Sequence, residues 1–132
     1  MTVYNKLVRD KIPAMIRAQG ETPHTRVLDQ EEYEACLEAK LDEEVREYHR
    51  DRNLEELADI LEVVYALAAN LGHSRRELEA VYDRKHDTRG GFRDRIYLIS
   101  NEYPQGRVVE PPVFRSKMVD TSVSKSYNME RY

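Results

Sequence analysis

The stretch Lys40–Glu62, KLDEEVREYHRDRNLEELADILE, carries two acidic pairs placed symmetrically about one short break. Glu44 and Glu47 lie three residues apart, as do Glu56 and Asp59, and that spacing puts both members of a pair on one face of an α-helix. A reversal near Arg52 leaves the two pairs at nearly the same distance from the turn. Packed antiparallel with axes about 8–10 Å apart, the two helices bring four carboxylates together. Hard oxygen donors in such a set suit a divalent cation, Mg²⁺ first and Mn²⁺ as the alternative.

Acidic residues at helical spacing more often form a solvated face, and the surroundings decide against that here. At 100° per residue, Glu44 falls inside the apolar stripe of Leu37, Leu41, Val45 and Tyr48. Asp59 shares its side of the next helix with Val63 and Ala66, and from Ile60 to Leu71 that helix is apolar nearly all round, as a buried central helix is. A carboxylate on a buried face is costly unless it is paired or bound to metal. Glu44, Glu47, Glu56 and Asp59 are therefore the expected metal ligands and, through the metal, the expected catalytic residues.

Working outward, the chain predicts four helices. Asp10 is the expected cap of a first helix over Lys11–Gln19, with Pro13 in its opening turn and Gly20 ending it. Residues Glu21–Leu28, with Pro23 and the alternation HTRVL, predict an extended connection. Asp29 caps a second helix reaching Arg50, and Asn53 caps a third that ends at Leu71 before Gly72. Ser74 with Glu77 is a capping-box signature for a fourth helix, which stops before Gly90–Gly91. FRDRIYLIS (Phe92–Ser100) reads either as a strand or as a docked extended segment. From Asn101 the prolines, serines and lost periodicity predict a tail, either disordered or draped over a partner subunit through Val108, Val109, Val113 and Phe114. The expectation is one helical domain over residues 1–100 and an extended or disordered tail over 101–132.

The composition narrows the class. A chain of 132 residues has room for one core. No apolar run is long enough to serve as a signal peptide or membrane span, which predicts a cytoplasmic protein with no membrane role. The single cysteine, Cys36, excludes an internal disulfide and reads as a small packed residue. The net charge of −4 conceals a division: residues 29–62 hold 14 acidic and 4 basic side chains, so the remainder of the chain is net basic. That division suits a metal-bound polyphosphate gripped from its far side by lysine and arginine, not a nucleic-acid interface, which needs a basic stripe across one face.

On the fourth helix Leu78, Val81, Tyr82, Lys85 and Arg89 share one stripe, which predicts that its inward side becomes basic at the C-terminal end. Lys85 and Arg89 have two readings of equal weight on spacing alone: phosphate binding, or a favourable charge at a helix C-terminus. His24, His49, His73 and His86 have no ligand spacing and read as surface residues. No phosphate-cradling glycine loop and no Ser-His-Asp pattern is present.

Four strings in order, YNKLVRDKIP (Tyr4–Pro13), EExxE (Glu43–Glu47), EELADILEVVYAL (Glu55–Leu67) and KHDTRGGF (Lys85–Phe92), resemble the MazG-like all-α nucleoside triphosphate pyrophosphohydrolase superfamily. Within it they look most like the small phosphoribosyl-ATP pyrophosphohydrolase-like members. The resemblance covers Tyr4 to Ile99, and the tail lies outside it. It implies an all-α, four-helix MazG-like bundle completed by oligomerisation, and hydrolysis of a nucleotide between its α and β phosphates to a monophosphate and pyrophosphate. Carried over by motif, Glu44, Glu47, Glu56 and Asp59 are the Mg²⁺ ligands, and Lys85 and Arg89 hold phosphate. Lys6 and Arg9 belong to the first string, which does not say whether they serve substrate or fold. Glu43 and Glu47 are both candidates for orienting the attacking water, so the general base stays unassigned. The alternative is a non-catalytic nucleotide-binding or regulatory module with the same fold.

Assembly follows from the third helix. Leu54, Leu57, Ala58, Leu61, Tyr65 and Ala68 line one side and Ile60, Val63, Val64, Leu67 and Leu71 the other, more than three amphipathic neighbours in one subunit can cover. The expectation is a homodimer at least, or a homotetramer, with active sites beside the interface.

Overall fold

The computed structural model describes residues 1–104 and 108–109. They form two units, Met1–Val81 and a second from Tyr82 onward. The helices are α1 (Ile12–Ala18), α2 (Gln30–Asp51), α3 (Leu54–Asn70) and α4 (Arg75–Arg89), the last running from the first unit into the second. In the second unit β1 (Asn101–Glu102) pairs antiparallel with β2 (Val108–Val109), Asn101 opposite Val109. Apart from this two-residue pairing, the described chain is all-α. No helix among the described residues is long and apolar enough to cross a membrane.

The first unit is organised by the α2–α3 hairpin. Asp29 opens α2 with a reciprocal cap: its carboxylate accepts the Glu32 amide at 2.9 Å, and the Glu32 carboxylate accepts the Asp29 amide at 3.4 Å. Arg26 reinforces that end by donating to both Glu32 oxygens, at 3.0 and 2.6 Å. Hydrogen bonds from Arg26 and from the Asp29 backbone hold the Glu32 carboxyl at about 2, well below its ordinary value. At the other end Arg52 takes the left-handed conformation (φ 49°, ψ 52°), its amide donating to the Tyr48 carbonyl at 2.8 Å. Asn53 returns to extended backbone, and its side-chain oxygen accepts the Glu56 amide at 3.0 Å. The reversal is thus complete in two residues. That the helices then run back along each other is marked by Gln30, whose amide donates to the Asn70 side chain at 2.6 Å at the end far from the turn.

Asn53 satisfies one of the four amides that a helix start leaves open. Asn53→Ala is expected to lower stability by about 1 kcal/mol, read as a fall in the urea midpoint at unchanged slope.

Leu37 on α2 and Val63 and Ala68 on α3 are the buried hydrophobic residues among those described, joined by one charged side chain, Glu44. The apolar character of α3 is only partly used within the chain. The stripe Leu54, Leu57 and Leu61 remains 77%, 45% and 47% exposed, although Ala68 farther along it is buried, while Ile60, Val64 and Leu67 on the adjoining side are half-buried. A helix expected to be buried all round is therefore, in the single chain, covered on one side.

Other boundaries hold or shift for local reasons. α1 begins at Ile12, and its cap position is Lys11, without a side-chain hydrogen bond. Asp10 sits in the preceding turn, closed by the Ile12 amide on the Arg9 carbonyl at 3.1 Å, and so does not cap the helix as expected. α3 ends where the sequence placed its stop, with Gly72 at φ 91°, a conformation open to glycine at little cost. The Ser74–Glu77 capping box forms, each side chain within 3.1 Å of the other's amide. Behind it Tyr65 of α3 lies under the Arg75 guanidinium at 4.4 Å and donates to Glu79 at 3.1 Å, which ties the start of α4 to α3. Residues 95–100 belong to no strand, and Ile96, Tyr97 and Ile99 are mostly exposed, so neither reading of that segment describes it within one chain. Of the tail, residues 105–107 and 110–132, including Val113 and Phe114, lie outside the described residues.

Candidate metal centre

The short turn and the two N-terminal caps set the phase of α2 and α3 so that the acidic pairs face each other. Glu44 and Glu47 of α2 and Glu56 and Asp59 of α3 each offer one carboxylate oxygen, and these four atoms all lie within 4.8 Å of one another. The structure brings together the four expected ligand residues.

Their surroundings differ. Glu44 is 6% exposed. Its Oε1 lies 3.2 Å from Lys40 Nζ, one helical turn earlier on the same face, while its Oε2 is buried without a hydrogen-bond partner. The Oε2 of Glu56 is likewise buried and unpartnered. Burial pushes the Glu44 carboxyl above its ordinary range, and the neighbouring Glu47 adds to the shift against the opposing pull of Lys40. Carboxylate oxygens removed from water and left without a donor are costly. Two of them in one four-carboxylate cluster fit a site that takes a cation.

The N-terminal segment reaches the same place. Arg9 Nη2 donates to Asp59 Oδ1 at 2.6 Å, across 50 positions of sequence. Lys6 Nζ donates to Glu43 Oε1 at 3.1 Å, and Lys40 donates to the other Glu43 oxygen at 3.4 Å. Burial acts upward on the Glu43 carboxyl, but Lys6 and Lys40 outweigh it and hold the group below its ordinary range. Glu43 is thus a paired acid beside the cluster, with cations on both oxygens. Sequence reasoning singled out Lys6 and Arg9 as part of a string without a role; the contact with the acidic arms is what it missed.

Lys85 and Arg89 occupy the last two turns of α4 and are exposed, in the second unit. The stripe expected to face inward is half-buried at Leu78 and open beyond it: Val81 and Tyr82 are exposed and no α4 residue is buried. Tyr82 stacks on His86 at 5.8 Å instead. All four histidines are exposed, as their spacing indicated, and Cys36 is a half-buried free thiol.

No protein-family model matches the chain, and no solved structure matches it. An uncharacterized protein of Mycolicibacterium smegmatis (strain ATCC 700084 / mc(2)155) is 62% identical over 42 residues, which cover 32% of this chain and 43% of that relative. The match thus spans less than half the length of either chain.

Proposed function

We propose that the protein is a Mg²⁺-dependent nucleotide pyrophosphohydrolase of MazG-like type, cleaving a nucleoside triphosphate or related nucleotide between the α and β phosphates to give a monophosphate and pyrophosphate. The observation that carries this reading is the four-carboxylate cluster with its two buried, unpartnered oxygens. The resemblance of the four sequence strings to the MazG-like superfamily is what favours phosphoanhydride hydrolysis among the metal chemistries such a cluster serves.

In phosphoryl transfer a protein positions groups and offsets charge. A divalent cation, when bound, supplies neutralisation of phosphate charge and activation of water. Glu44, Glu47, Glu56 and Asp59 are the residues that would hold it. Lys40, with its side chain 17% exposed and braced between Glu43 and Glu44, keeps a fixed positive charge behind the α2 arm. Glu47 and Glu43 remain the candidates for orienting water. Lys85 and Arg89 bind phosphate in this reading, and the enzyme works in the cytoplasm as a homodimer or homotetramer.

The test is release of pyrophosphate from a panel of nucleoside triphosphates with Mg²⁺ or with EDTA. Mg²⁺-dependent formation of equal amounts of monophosphate and pyrophosphate is expected. Nucleotide binding without turnover would replace the enzyme by a regulatory module, and release of orthophosphate would move the cleaved bond.

A second expected result separates phosphate binding from metal binding. Charge-assisted hydrogen bonds to phosphate contribute about 1.5–3 kcal/mol each, so Lys85→Ala or Arg89→Ala should lower kcat/KM by roughly tenfold or more. Mn²⁺ affinity, measured by calorimetry, should stay near the parental value. Unchanged kinetics in both variants would return these residues to a helix-terminus role.

A further inference from the structure

Two of the four clustered carboxylates already carry a cation from the chain itself, and the two cations are held in different ways. Lys40 reaches Glu44 along its own helix and is largely buried, so it is built into the α2 face. Arg9 comes from the segment before α1, outside any helix, and half of its side chain is exposed where it meets Asp59. Its carbonyl is fixed by the Ile12 amide at 3.1 Å, so the side chain can leave Asp59 while the backbone stays. Three residues earlier Lys6 fastens the same segment to Glu43, an acid outside the cluster. The anchor therefore does not depend on the ligand set, and the guanidinium does.

We propose that Arg9 is an exchangeable stand-in for the divalent cation. It neutralises Asp59 in the free protein, gives the carboxylate up when the ion binds, and then takes a phosphate oxygen of the bound nucleotide. The proposal rests on the metal and nucleotide reading above. An exposed ion pair with one donor–acceptor contact is weak and easily exchanged. A divalent ion at the same oxygens carries twice the charge and gathers four carboxylates at once. The freed guanidinium is a planar fork of donors suited to two phosphate oxygens, and Lys6 keeps it within reach of the cluster. This gives the YNKLVRDKIP string a role: Lys6 positions the segment, and Arg9 alternates between metal ligand and substrate.

The experiment uses the full chain and two probes: Mn²⁺ alone, followed by electron paramagnetic resonance, and imidodiphosphate in excess Mg²⁺, a diphosphate whose P–N–P bridge resists hydrolysis, followed by calorimetry. Removing a competing positive charge beside Asp59 should tighten Mn²⁺ binding, so Arg9→Gln is expected to lower the Mn²⁺ Kd by about threefold or more. The same variant should weaken imidodiphosphate by about tenfold or more. Arg9→Lys, which keeps the charge but not the fork, should leave Mn²⁺ affinity near parental and still weaken imidodiphosphate, and it serves if Arg9→Gln does not fold. A role confined to pinning the segment would weaken both ligands or neither. If the unmodified protein binds Mn²⁺ and Arg9→Gln binds it no more tightly, the exchange is overturned while the metal site stands. Tighter Mn²⁺ with unchanged imidodiphosphate also overturns it, because the handover to phosphate is then absent. An unmodified protein that takes up no Mn²⁺ overturns the metal reading and the exchange together.

Discussion

Asp59→Ala and Glu56→Ala are each expected to reduce Mg²⁺-dependent pyrophosphate release by about a thousandfold or more, while the metal-free protein keeps its fold and loses no thermal stability. Both residues offer a ligand oxygen to a set whose members lie within 4.8 Å of one another. At that separation and an effective dielectric of about 20, two carboxylates repel by on the order of 3 kcal/mol. Deleting one relieves part of this repulsion. For Glu56 it also removes a buried oxygen that has no partner. For Asp59 the loss of the Arg9 pair opposes the gain only weakly, because both side chains are substantially exposed. The opposite responses of activity and stability are what distinguish a ligand from a structural acid. Near-parental turnover at saturating Mg²⁺ in either variant would sink the assignment.

A comparably large effect is expected at the uncovered face of α3. Leu57 and Leu61 are each about half exposed in the single chain, and covering half a leucine contributes about 1 kcal/mol. Burying both in each of two copies therefore contributes roughly 4 kcal/mol before Leu54 is counted, against a stability of about 5–15 kcal/mol for a small domain. The double substitution Leu57→Lys, Leu61→Lys is expected to convert a dimer or tetramer to monomer in sedimentation velocity and to abolish activity. It changes side chains that touch little within the chain, so a folded monomer is the expected product. An unmodified protein that sediments as an active monomer at micromolar concentration would overturn the assembly.

The helices were legible because their ends are chemically marked. Asp29, Asn53 and Ser74 each cap the helix that the sequence assigned to them, through an oxygen placed to accept an open amide. The acidic arms were legible for a related reason: Glu44 interrupts an apolar stripe, and a charge there needs an explanation that periodicity can reveal. Asp10 misled because it sits inside the turn that precedes α1 and not at the helix start, a distinction of one residue that composition does not encode. Arg9 was opaque for a deeper reason. Its partner lies 50 positions away, and no local pattern ties an irregular segment to a particular carboxylate. The exposure of Val81 and Tyr82 on α4 escaped because a stripe on a wheel states which residues share a side, not whether anything covers that side.

The two-residue link at Arg52 and Asn53 has an implication for which changes in this chain are tolerable. Because the caps fix where each helix stops and starts, adding or deleting one residue between Glu47 and Glu56 turns one acidic pair by about 100° relative to the other. No substitution within the pairs themselves would scatter the four oxygens so thoroughly. An insertion restores alignment only when it completes whole turns, as about seven residues do, and the pairs then lie farther from the bend. The spacing between the arms is accordingly a stricter requirement than the identity of the exposed residues inside it: His49 and Arg50 can be exchanged, but they cannot be lost.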